Sequence, residues 1–171
     1  MKKEDSLKNI KYKVAAFYNF LSILDKDILL IKEGLSDLAK DTEIKGTILI
    51  ASEGVNGTVC GAEKAITQFI EVLKQLLKIS DINVKYSWTE KQAFRRFKAR
   101  KKKEIVTIGL KQINPAKSVG KYIKADKWNE FLEDSDSVVI DTRNEYEIKI
   151  GKFAGALYPH TSSFREFPSW V

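Results

Sequence analysis

Between Ala62 and Ile79, apolar residues fall at Ala65, Ile66, Phe69, Ile70, Leu73, Leu76 and Leu77, with polar residues between them. That spacing puts one continuous apolar face on a helix of about five turns. Such a face has to be buried, so the flanking segments must supply its partner surface. Val14–Phe20 and Gly46–Ala51 are short and rich in apolar, β-branched or aromatic residues, and both read as strands. Between them, Asp25–Ala39 carries Ile28, Ile31, Leu35 and Leu38 at helical spacing, with Asp25 as N-cap or first-turn acid and Gly34 as its weak point. Ser52–Gly57 has turn chemistry, because Asn56 and Gly57 tolerate positive φ; Thr58–Cys60 then opens a third strand, which predicts a hairpin over 46–60. Ile82–Trp88 alternates Ile82, Val84 and Tyr86 and predicts a fourth strand.

The resulting order, β-α-β-β-α-β, predicts an α+β fold of the ferredoxin-like, split βαβ type: an antiparallel sheet with two helices on one face. Residues 1–110 are assigned to this domain, with Glu104–Gly109 reading as a further strand. Residues 111–124, which include Asn114-Pro115 and lack periodicity, read as a linker. In 125–171, Ala125–Glu133 predicts a short helix burying Trp128 and Phe131, and Ser137–Asp141 a buried strand that ends on an acid. Thr142–Glu147 then reads as a loop entering a helical turn. One clear strand is too few for a sheet, and Phe167–Val171 is apolar with no polar tail, so the expectation is a fragment of a longer polypeptide.

Composition narrows the function classes. The single cysteine, Cys60, cannot form an internal disulfide, and with the single histidine, His160, it makes no zinc-type ligand set. No stretch reaches the roughly 18 apolar residues needed to span a bilayer, and the charged start is not of signal-peptide type, so the expected location is cytoplasmic. No metal or cofactor motif and no obligate protein partner is evident. The net charge of +7 is concentrated: Arg95, Arg96, Lys98, Arg100, Lys101, Lys102 and Lys103 bring seven positive charges into nine residues, and the rest of the chain sums to zero.

That run is the strongest chemical signal. Lys and Arg neutralise phosphates and release counterions, and Phe94 and Phe97 interleave the charges as stacking groups for unpaired bases. The competing reading is a charged strand edge with two core phenylalanines. Glu53–Gly57 offers backbone N–H groups to an anion, against a plain hairpin turn, which is preferred. Cys60 sits in an apolar strand with nothing nearby to lower its pKa, which favours a buried structural role over a nucleophile. His160 has no visible partner and reads as a loop residue. Asp141 and Arg143 stand at a strand's end, where α/β folds place ligand sites, and Glu145 or Glu147 is within reach of Arg143 for a pair that orients the loop; an ordinary loop-capping Asp is the alternative.

Four blocks, Lys45–Thr58, Phe94–Gly109, Val138–Glu147 and Ser163–Val171, occur in an order that resembles the bacterial tRNA uridine hydroxylases, also described as rhodanese domain-containing proteins. The resemblance implies a ferredoxin-like (acylphosphatase-like) domain followed by the beginning of an α/β rhodanese-like domain. It implies oxygen-dependent hydroxylation of the tRNA wobble uridine to 5-hydroxyuridine, with tRNA as partner and molecular oxygen as co-substrate. It implies a reactive cysteine in a loop after Val171, which Cys60 does not match. Asp141, Arg143 and Glu147 match the segment bordering that loop, and 95–103 the family's basic block. Without that thiolate the chain alone is expected to be catalytically silent. The alternatives are a rhodanese-type sulfurtransferase and a non-catalytic RNA-binding module. Acylphosphatase chemistry is discounted, since the loop Asn19–Leu24 has no arginine to cradle a phosphate.

Overall fold

The computed structural model describes residues 11–110 and 120–171; the charged start of the chain and most of the expected linker 111–124 lie outside the described residues. The chain divides into two compact units, Met1–Ile105 and Val106–Val171.

The first unit runs β1 (Tyr12–Phe20), α1 (Asp25–Asp41), β2 (Lys45–Ala51), β3 (Gly54–Gly61), α2 (Glu63–Leu77), β4 (Asn83–Thr89) and β5 (Phe97–Lys101). The sheet order is β4-β1-β3-β2-β5. The first four strands are antiparallel, and β5 joins β2 in parallel. This is the expected ferredoxin-like topology with one added edge strand. The α2 face is buried as its spacing requires: Ile66, Phe69, Ile70, Leu73 and Leu77 all pack into the core, against Ala15 and Phe17 of β1 and Ile48 and Ile50 of β2. Gly34 does not interrupt α1, which is continuous from Asp25 to Asp41; it faces α2, where a Cβ would sit 3.4 Å from the Leu76 side chain.

Two expectations need correction here. The hairpin turn consists of Ser52 and Glu53 alone, and Asn56 and Gly57 lie inside β3, paired with Leu49 and Ile48. The unusual backbone falls instead at Gly54 (φ +145°), where a Cβ would come within 2.1 Å of the Asn19 carbonyl. Glu53–Gly57 is therefore no anion cradle. Glu104–Gly109 is not a strand; the basic run itself supplies β5. Ile105 acts as a plug, 2% exposed, its N–H donating to the Glu53 carboxylate at 2.7 Å and its carbonyl accepting from the Asn56 amide at 3.1 Å.

The second unit has little regular structure. A single 3-10 turn (Ala125–Lys127) leads into α3 (Trp128–Glu133), followed by α4 (Glu145–Ile148) and, after a second 3-10 turn, α5 (Phe167–Trp170). The expected strand Ser137–Asp141 is reduced to one parallel bridge, Ile140 to Leu157. Neither this segment nor the α3 side chains are buried as expected: Val138 is 68% exposed, Phe131 is exposed, and Trp128 is half-buried, stacked on Phe153 at 5.3 Å. With one bridge among the described residues, the segment does not build a sheet that could bury Val138 and Phe131, and Trp128 is covered on one face by the Phe153 ring.

Candidate nucleic-acid interface

Side chains alternate along a strand, so β5 cannot present the whole basic run on one side. Phe97 and Ala99 pack against the core, with the Phe97 ring 5.9 Å from that of Phe69 in α2. Lys101 shares their side and is bonded to Asp25, in the first turn of α1, at 2.6 Å. Lys98 and Arg100 point the other way, onto the face of the sheet without helices. The two aromatics of the run are thus divided: Phe97 is a core residue, while Phe94, just before β5, lines a cleft of about 490 Å³ with Thr47, Arg95, Arg96 and Lys98.

The same alternation sorts the charges of the whole sheet. On the helix side, Lys13 is paired with Glu63 at 3.2 Å and Lys101 with Asp25. On the open side the strand registers place Lys45, Lys98, Arg100 and Lys85. None of these four has a carboxylate partner among the described residues. The strand residues on that side include no acid at all. Lys45 and Lys85 fall outside the basic run, about fifty and ten residues before it, and the strand order brings them to the same face. Lys102 and Lys103 follow β5 and are exposed.

In the second unit, the Arg143 guanidinium grips the Asp141 carboxylate through two nitrogens, the closest at 2.7 Å, and also donates to the Gly151 carbonyl at 2.7 Å. This brace closes the loop 141–151 beside a cleft of about 540 Å³ lined by Trp128, Ile140 and Phe153. Glu147 does not join it; its carboxylate accepts from the Asn144 backbone and side-chain amides and so caps α4. The hydrogen bond from Arg143 holds Asp141 below the ordinary carboxylate range. A depressed folded pKa stabilises the loop above the unfolded value of about 4, and that contribution is lost as pH falls through the lower folded value. Amide exchange across 141–151 should therefore accelerate as pH is lowered below about 4, relative to the intrinsic rate. Asp141→Asn should be fast already at neutral pH. Equal protection of the two proteins at neutral pH would show the brace to be idle.

Cys60 is fully buried in β3, and His160 sits exposed at positive φ (53°), its ring 4.0 Å from Tyr158. Among the described residues no three His, Cys, Asp or Glu side chains gather as a metal set, and no helix is long and apolar enough to cross a membrane.

Known proteins resemble this chain closely. A tRNA uridine(34) hydroxylase of Prochlorococcus marinus strain NATL2A is 79% identical over all 171 residues, which cover 54% of that relative. Its counterpart from Synechococcus sp. CC9605 is 47% identical over 92% of this chain and 50% of its own length. The chain thus spans about half the length of the curated relatives it matches. An acylphosphatase structure from Coxiella burnetii overlaps 53% of this chain and 93% of its own at 15% identity, with a TM-score of 0.38. The profile of the UPF0176 acylphosphatase like domain matches residues 12–105, more than half of the sequence, and the chain belongs to that family.

Proposed function

We propose that this chain serves in hydroxylation of the wobble uridine of tRNA, in which one atom of molecular oxygen is inserted into the C5–H bond of the base to give C5–OH and the other leaves as water, with two electrons and two protons drawn from a two-electron reductant. The observation that carries this reading is the 79% identity, over all 171 residues, with a relative named for that reaction. The sheet supports it physically. Its open side gathers cations that have no carboxylate partner among the described residues, the arrangement a phosphate backbone selects. In this reading the first unit holds tRNA, in the cytoplasm where tRNA works, through Arg95, Arg96, Lys98, Arg100 and the exposed Lys102 and Lys103. Lys101 is left to brace α1. Asp141 and Arg143 hold the shape of a loop bordering the reaction centre. Cys60, sealed in β3, is not the reacting group.

The test is nucleoside mass spectrometry of tRNA from cells with and without the gene. The expected result is loss of 5-hydroxyuridine and its derivatives from position 34 on disruption, restored by the intact gene. Unchanged hydroxylation in a strain with no second hydroxylase would overturn the reading.

A further inference from the structure

We infer that the open side of the sheet binds an unpaired RNA strand laid across the strands, with one base seated against Phe94; the inference deepens the tRNA reading above and rests on it. The open side is not uniformly free. At one end Gln92 donates to the Cys60 carbonyl at 3.2 Å and closes over β3, and at the other Ile105 is pinned between Glu53 and Asn56. Between these two straps one row of the sheet stays uncovered. The registers make it Lys98 on β5, Thr47 on β2, Thr58 on β3, Ala16 on β1 and Lys85 on β4. The three central residues are small and half-buried, so the row is a shallow floor with a cation at each rim.

Phe94 decides what kind of nucleic acid fits. It stands at the Lys98 end of the floor, in the cleft of about 490 Å³ shared with Arg95 and Arg96. A duplex hides its base faces in the stack and offers only phosphates and groove edges, so a floor between two rims with an aromatic at one end gains nothing from it beyond charge. An unpaired strand offers a base face to the ring and phosphates to the rim cations at once. Among the described residues Phe94 makes no ring contact like that of Phe97, whose ring meets Phe69 in the core. The charge complementarity is one-sided in the way a polyanion requires: helix-side Lys13 and Lys101 are neutralised by Glu63 and Asp25, and the open-side cations are not.

The test compares binding of the 171-residue chain to a labelled unpaired RNA of about ten nucleotides and to a duplex of equal phosphate number, at one salt concentration. The expected result is tighter binding of the unpaired strand. Phe94→Ala should weaken it by roughly tenfold and leave duplex binding unchanged, while Phe94→Tyr, which keeps the ring, retains affinity. Should Phe94→Ala lower the melting temperature, Lys85→Glu at the far rim, on an exposed edge strand, carries the same prediction for the unpaired strand. Preference of the wild type for duplex, or equal effects of Phe94→Ala on both ligands, overturns the proposal, as does no effect of either variant. Binding through Phe94 with tRNA hydroxylation intact after gene disruption would sink the hydroxylation reading alone. Loss of hydroxylation with binding indifferent to Phe94 and Lys85 would sink this one alone.

Discussion

Phe69→Ala is expected to cost the first unit about 3–5 kcal/mol, a large part of what holds a domain of this size together. Phe69 is fully buried on α2, its ring 6.4 Å from Phe17 of the sheet's interior and 5.9 Å from Phe97 of the edge strand β5. One side chain therefore ties the helix layer both to the middle of the sheet and to its basic margin. Truncation removes the ring's transfer free energy and leaves a cavity walled by Ile66, Leu73 and strand residues that cannot close in without disturbing the sheet. For a domain near 100 residues the melting temperature should fall by about 15–30 °C. The loss should also reach function, since Phe97 loses the ring it packs against in α2 and β5 carries Lys98 and Arg100. Phe69→Leu, which fills most of the volume, should recover much of the stability. Thermal unfolding followed by circular dichroism reads both variants, and a drop under about 1 kcal/mol for Phe69→Ala would mean the ring is not the link described.

The four-strand framework and its helix layer were legible because each element carried its own periodicity. The α2 stripe from Ile66 to Leu77 and the short apolar, aromatic run Val14–Phe20 need no tertiary information. The errors have one shared cause, a local signal overridden by a distant neighbour. Asn56-Gly57 has the composition of a turn, but Gly57 is small because Phe17 and Thr47 lie against it: a Cβ there would come within 2.9 Å of both. Glu104–Gly109 has the apolar alternation of a strand, but its leading apolar residue, Ile105, is fixed over the sheet by Glu53 and Asn56, some fifty residues earlier in the chain. Phe97-Lys-Ala-Arg-Lys101 is compatible by composition with a nucleic-acid grip or with a charged strand edge carrying core phenylalanines, and its parallel register with β2 makes it an edge strand with Phe97 and Ala99 interior. In the second unit, Val138 and Ile140 have strand composition, but among the described residues the pairing stops at the single bridge from Ile140 to Leu157, and pattern alone does not bury a side chain. The candidate interface was half legible for the same reason. The sequence places seven cations together, but which of them share a face, and that Lys45 and Lys85 join them, depends on strand order.

Reversing charge at Lys98 and Arg100 together should weaken tRNA binding by one to two orders of magnitude at moderate salt, and the same change at Lys101 should do far less. All three residues belong to β5, so a model of diffuse charge attraction predicts equal effects per residue. The alternation of the strand predicts otherwise. Lys98 and Arg100 lie on the open side with no carboxylate partner among the described residues, whereas Lys101 is on the helix side at 2.6 Å from Asp25. Each phosphate contact with a single strand contributes about 0.7 to the slope of log K against log salt, and about 0.9 with duplex. Removing two contacts should therefore flatten the slope by about 1.4 to 1.8, and adding two negative charges lowers the affinity further at every salt concentration. Lys101→Glu sets a carboxylate against Asp25 and should cost a little stability at the start of α1, with the salt slope for tRNA nearly unchanged. The comparison is made on one preparation of tRNA across a salt series, with circular dichroism confirming that each variant is folded. Equal flattening by the Lys98/Arg100 pair and by Lys101→Glu, scaled per charge, would show that tRNA feels only the sum of the basic run. In that case the division of the strand into a paired side and an open side would have no bearing on what the protein binds.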